Sequence, residues 1–365
     1  MKINQLVYHL LFSALWCSAV YGYNVYDSRD QVGPHQFDWN SVYDRVEIYE
    51  EESFTISGGF IEYFKATDDT VGSVNYGFID YLNARDRAII DVFHVESGYI
   101  AAREESIMKI YSASQPSYGQ IQASDNGVMR LFGGSFGRVY TWPNGGRIEL
   151  LEGNIWNSFT IHSSGVGFQR GGAIDEVSVT SNGIAVLDEG SVSGVAFVNG
   201  SGTLILSGAQ PPEEIRLFDS GCVLILHDDT RYPSRLTYSA TDFTEPHRTG
   251  FMKKTFSIHG DSGYKEVFLT AATSELGSEW NGVVELVYID SDLIAIPLAN
   301  SQKLVISMKA SSDYVHIFEE SIDLVSWTSL GVPIVGDWKI HTEILGHSGS
   351  SKAFGRVRKW LKPTN

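Results

Sequence analysis

Four acids recur along the chain at a nearly constant interval: Asp68, Asp86, Glu104 and Asp125. Stacked above one another, carboxylates at this spacing could ligate a hard cation such as Ca2+, which takes oxygen donors. A repeated turn selects the same residues, because aspartate bonds its own local backbone. Arg85 and Arg103, each one position before an acid, would then offset a column of like charge. Turnover of a polysaccharide asks for more. A glycoside hydrolase needs two carboxylates flanking the scissile bond, and a uronate lyase needs a base beside a bound cation. The nearest approach to such a set is His227-Asp228-Asp229. Neighbouring residues of a strand point to opposite faces, so this triplet reads better as the turn that ends a strand. The ten histidines show no paired metal spacing, and there is neither a Gly-x-Ser-x-Gly elbow nor a phosphate-binding glycine loop. No catalytic residue is assigned, and calcium apart, no cofactor is implied. Recognition is the stronger reading. Tyr63, Tyr81, Tyr99, Tyr118 and Trp142 fall in the outer or turn half of successive segments, and an outward aromatic row stacks well on the apolar faces of sugar rings. The same rings turned inward would be core.

Both columns presuppose a scaffold that repeats. Aliphatic and aromatic positions follow one another as Ile56, Val74, Val92, Ile110, Leu131, Leu150, Phe168, Val186, Ile205 and Ile225, at intervals of 18–21 residues. Glycines punctuate the same segments, among them Gly58-Gly59, Gly77, Gly98, Gly119, Gly133-Gly134, Gly153, Gly190 and Gly208. Short runs of β-branched and aromatic residues turned by Gly, Asn and Asp predict strands. One such coil cannot bury its apolar face alone, so coils must stack and share a core. The fold class is therefore all-β: a right-handed parallel β-helix of about ten coils, followed by a small C-terminal β module. Ala66, Ala84, Ala102 and Ala123 would fill an inward corner, and Phe60 with Phe78, like Tyr63 with Tyr81, would form aromatic ladders. A left-handed hexapeptide solenoid fails, because the position six after Ile56 is Glu62. A set of β-sandwiches would lack the constant coil length.

The chain divides along this rhythm. Residues 1–22 read as a signal peptide: Lys2, an apolar run from Leu6 to Val20 shorter than the roughly twenty residues of a membrane span, and small residues at Val20-Tyr21-Gly22. Residues 23–52 form an N-terminal cap, 53–229 the parallel β-helix, 230–295 a final coil and β cap, and 296–365 the C-terminal β module. Removal of the leader would leave Cys222 as a lone cysteine, so the mature chain has no disulfide to stabilise it. A net charge of −17 and a pI near 4.9 exclude nucleic acid as a partner. No second apolar stretch reaches membrane length.

The last seventy residues carry a more specific pattern. Ser321, Asp323, Leu324, Trp327, Leu330 and Gly331, followed by Phe354, Arg356, Val357 and Arg358, resemble the S-x-D-L-x-x-W-x-x-L-G … F-x-R-V-R ending of secreted β-helix repeat proteins of the Planctomycetes–Verrucomicrobia type. Ser57-Gly58-Gly59 and Phe132-Gly133-Gly134 resemble their solenoid coils. The resemblance implies an exported β-rich protein of surface or extracellular location. Together with the absence of an acid–base set, it leads to the expectation of a secreted, non-catalytic structural or adhesive protein. Its partner would be extracellular polysaccharide or another cell-surface component. The alternative is a polysaccharide lyase or glycoside hydrolase on the same scaffold.

Overall fold

The structure, a computed structural model, describes residues 25–361 apart from 31–33, 117–118, 143, 229–234, 261–262, 278, 290–292, 299–302, 312, 322, 324, 336, 338 and 346–353. The leader read over 1–22 and the aromatic candidate Tyr118 lie outside the described residues.

Coil after coil stacks in parallel register to form a β-solenoid whose strands make three parallel ladders, or faces. The first face is built from strands such as Ile89–Val92, Ile107–Ile110, Val128–Leu131 and Arg147–Leu150, and the second from short pieces such as Val95–Glu96 and Ala113–Ser114. The third contains Tyr99–Arg103, Gln120–Ser124, the end of Ser135–Thr141 and Asn154–Ile161. Strand alternation sends every second side chain inward. On the third face this makes one unbroken ladder of eleven residues: Val46, Phe64, Leu82, Ile100, Ile121, Val139, Phe159, Val177, Ala196, Ile215 and Leu269. All are fully buried, and a large aliphatic or aromatic side chain so placed stabilises the fold by roughly 1.5–3 kcal/mol. Ala66, Ala84, Ala102 and Ala123 pair in register and are also fully buried. Phe60 and Phe78 stack 5.1 Å apart.

Sequence periodicity slips on the first face. Val92, Ile110, Leu131 and Leu150 do form the inward ladder, but Leu150 then pairs with Gln169, and the ladder continues through Leu187, Leu206 and Ile225. Phe168, Val186 and Ile205 occupy the neighbouring outward column with Glu149 and Leu224. Both columns are apolar in the later coils because the outer one is covered too.

Its cover is the C-terminal module. Two antiparallel sheets, one of Ile294–Pro297, Leu304–Lys309 and Ile340–Leu345 and the other of Tyr314–Ser321, Thr328–Val335 and Phe354–Leu361, enclose Ile306, Met308, Phe318, Ile334 and Leu345. Ile296, Val305, Ile340 and Ile344 pack on Phe168, Val186, Ile205 and Leu224. The module is thus fastened to the solenoid wall.

Both ends of the stack are closed. At the start, Tyr26, Phe37 and Tyr43 meet edge to face at 5.1–5.9 Å. At the finish, the chain makes an excursion before Gly263–Ala272 and Val284–Tyr288 complete the last coil. Arg235–Tyr238 and Phe251–Gly260 then pair antiparallel to them. The antiparallel pairing takes up the free edge of the last parallel coil.

Candidate functional site: a groove on the third face

The outward side of the third face is polar and aromatic where its inward side is aliphatic. Gln120-Ile121-Gln122, Arg138-Val139-Tyr140-Thr141-Trp142 and Ser158-Phe159-Thr160-Ile161-His162 alternate in this way, with Ile121, Val139, Thr141, Phe159 and Ile161 buried. In-register pairing sets Gln120, Arg138, Ser158 and Glu176 in one column, and Gln122, Tyr140 and Thr160 in the next. With Trp142, Asn157 and His162 these residues line an open groove of about 500 Å3.

The groove offers hydrogen-bonding groups of many kinds around two aromatic rings. The Tyr140 hydroxyl donates to Gln120 Oε1 at 2.9 Å. Burial, then the neighbouring Tyr99, pushes its pKa up to about 12, so it stays a protonated donor and is a poor base. Burial pushes the His162 imidazole down from its ordinary value, leaving it neutral at pH 7, with Nδ1 2.7 Å from Thr180 Oγ1. Trp142 is 51% exposed. Its ring plane is nearly perpendicular to those of Tyr140 (88°, 6.3 Å) and His162 (82°, 5.4 Å), so neither neighbour is stacked parallel on it. A tight turn holds it there: Trp142 bridges to Gly145, while Asn144 and Gly145 take the left-handed backbone at φ 75° and 100°. Glu176 is the single carboxylate among the lining residues and Arg138 the single full cation.

Tyr63, Tyr81, Tyr99 and Trp142 all stand on the outward side of this face. The three tyrosines pair coil to coil, and their column continues into Gln120. Tyr99 donates its hydroxyl to Gln122 and receives Arg103 Nη2 at 3.1 Å. The remaining lining residues escaped the sequence reading. Their signal was the strict alternation of polar and apolar residues over 120–122, 138–142 and 158–162, which a search for aromatic spacing passes over.

The acid column lies at the corner between the third and first faces. Asp68, Asp86, Glu104 and Asp125 each adopt the left-handed backbone, at φ 57°, 53°, 60° and 51°. Three of their carboxylates accept from the turn one coil below: Asp68 from the Glu50 amide at 3.3 Å, Asp86 from the Asp68 amide at 3.5 Å, and Glu104 from the Asp86 amide at 2.8 Å. Asp125 accepts from Asn144 Nδ2 at 3.0 Å. Ser163, Ser181 and Asp219 show the same positive φ in other coils, so the position is a recurring turn whose geometry favours Asp and Asn.

Two further polar clusters lie where the module docks on the solenoid. Asp228 pairs with Lys309 Nζ at 2.8 Å, and His227 is buried; Asp229 lies outside the described residues. Glu189 of the solenoid meets Asp337 and His341 of the module, close enough to share a metal ion. The Lys339 ammonium is already there, 3.0 Å from Glu189 and 3.9 Å from Asp337.

The residues that carry the C-terminal resemblance have definite structural work. The Asp323 carboxylate accepts from the amides of Val325 and Ser326, both at 2.8 Å, and from Ser321 Oγ at 2.9 Å, fixing a turn. Arg356 lies 4.0 Å over the Trp327 ring and, with Arg358, pairs with Glu319.

The chain matches no protein-family model, no curated protein and no solved structure. Among the described residues no helix is long and apolar enough to cross a membrane.

Proposed function

We propose that this chain is an exported, non-catalytic binding protein that holds extracellular polysaccharide or cell-envelope glycan in the groove around Trp142. The observation that carries this reading is the Trp142 ring, half exposed, unstacked and surrounded by amides and hydroxyls. Sugars are recognised by that combination of an apolar platform and fixed polar groups. Export rests on the leader expected over 1–22 and on the resemblance of the C-terminal pattern. The hydrolase alternative loses ground because the groove presents one carboxylate where the reaction uses two. A tyrosine base is disfavoured by the raised pKa of Tyr140.

The test is electrophoresis of the mature protein through native gels cast with neutral and acidic polysaccharides, stained for protein and for polymer. A retarded band over intact polymer is the expected result, and Trp142→Ala should restore most of the free mobility. Because the side chain is half exposed, this variant should keep the melting temperature of the parent. A cleared zone in the polymer would make the protein an enzyme and end the binding reading.

A further inference from the structure

Resting on the glycan-binding reading of the groove, we propose that the groove is one end of a longer track running along the solenoid axis over Tyr99, Tyr81 and Tyr63, and that its ligand is an extended, uncharged polysaccharide. The column Tyr63, Tyr81, Tyr99, Gln120, Arg138, Ser158, Glu176 is paired without a break. Tyr99 joins the two parts directly through its hydrogen bond to Gln122, a lining residue. Adjacent coils lie about 4.8 Å apart, close to the advance of one pyranose along an extended chain. The column therefore presents one side chain per sugar.

Ring geometry separates these tyrosines from the stacked column of Phe93, Tyr111 and Phe132, and their pairing into the groove separates them from the tilted column of Trp39, Tyr76 and His94. Phe93, Tyr111 and Phe132 stack nearly parallel, at 5.0 and 4.9 Å with interplanar angles of 7° and 14°. Their faces are turned to each other. Tyr63, Tyr81 and Tyr99 are tilted by 34° and 42° at 6.5 and 5.7 Å, so they do not stack face to face, and Tyr81 is 46% exposed. At the far end Arg45 covers the Tyr63 ring at 5.1 Å and is itself paired with Glu47, so the track stops there.

Charge selects the ligand class. On this face Arg45, Lys65, Arg103 and Arg138 stand against Glu47, Glu62, Asp80 and Glu176, so it carries no excess of cations to draw a polyanion, and the whole chain has a net charge of −17. A polyanion would approach a molecule of its own sign and find no basic track to hold it, whereas a neutral chain matches the amides and hydroxyls.

Isothermal titration of the mature protein with neutral gluco- and manno-oligosaccharides, from tri- to heptasaccharide, tests this, with oligogalacturonides of equal length as the charged comparison. The heptasaccharide should bind about tenfold more tightly than the trisaccharide, since several added ring contacts each contribute modestly. Tyr81→Ala should abolish that gain while leaving trisaccharide affinity unchanged, and Tyr81→Phe should keep it, with far-UV circular dichroism confirming the fold of both. An affinity that does not grow with length in the unmodified protein overturns the track and leaves the groove standing. Preference for oligogalacturonides overturns the neutral ligand. If no oligosaccharide binds and Trp142→Ala changes nothing, the groove reading falls as well.

Discussion

Aspartate at 86 and glutamate at 149 show how differently one carboxylate can be used. Asp86 stands at a left-handed turn with φ 53°, a conformation that costs an ordinary L-residue roughly 1–2 kcal/mol and a β-branched one most. Asp86→Asn should therefore be nearly neutral, and Asp86→Val should lower stability by about 1–2 kcal/mol in urea unfolding. Glu149 is fully buried between Arg130 and Arg147, at 3.2 and 2.5 Å. Burial alone would raise its pKa, but Arg147, Arg170 and Arg130 outweigh it and hold the group at about 2 against an ordinary 4.5. A carboxyl depressed in the folded state contributes stability that is present above the unfolded value and lost as pH falls through the folded one. Stability should thus drop as the pH is taken from about 4.5 towards 2, and Glu149→Gln should flatten that slope in acid titrations followed by tryptophan fluorescence. Asp188, raised by burial in spite of Arg170, works in the opposite sense and softens the fall.

At the scale of elements, the outward column of the first face decides where the module docks. It runs from Ser73, Asp91, Lys109 and Arg130 through Glu149 to Phe168, Val186, Ile205 and Leu224. The change from polar to apolar marks the border of the covered area. At that border Glu343 of the module pairs with Arg147 at 2.8 Å and with Arg170, and both guanidinium groups flank the Phe168 ring at 4.2 and 4.6 Å. Removing one member of a buried charge set strands the others, at a cost of about 3–5 kcal/mol. Glu343→Leu should accordingly loosen the module by roughly 3 kcal/mol and produce an early phase in urea unfolding. Glu343→Gln, whose single amide oxygen can still accept from one of the two guanidinium groups, should lose less.

For the molecule as a whole, the solenoid and the module stabilise each other. Deleting 296–365 would bare Phe168, Val186, Ile205 and Leu224 along one wall, a contiguous apolar strip of the kind that drives association. Such a truncation should bind 8-anilinonaphthalene-1-sulfonate strongly and elute as oligomers in size exclusion, whereas the full mature chain should do neither. The groove lies on the third face and the module on the first, so the groove stays open while the docking wall is covered. Seventy residues that look like an appended domain in the sequence are in this respect part of the scaffold.

The coil length, the stacked alanines, the aromatic ladders and the recurring turn acids were all written in the sequence, because a solenoid repeats the same local problem and each coil answers it with the same residue types. Tyr63, Tyr81, Tyr99 and Trp142 could be picked out for the same reason. Periodicity could not tell an inward apolar column from an outward one that another part of the chain covers, and so Phe168, Val186 and Ile205 were drawn into the wrong ladder. Nor could it separate a stacked aromatic column from a tilted one, since ring orientation depends on contacts between coils. The groove itself was decided by tertiary structure alone: Gln122, Tyr140 and Thr160 are 18–20 residues apart in the chain, and only lateral pairing of their strands brings them side by side.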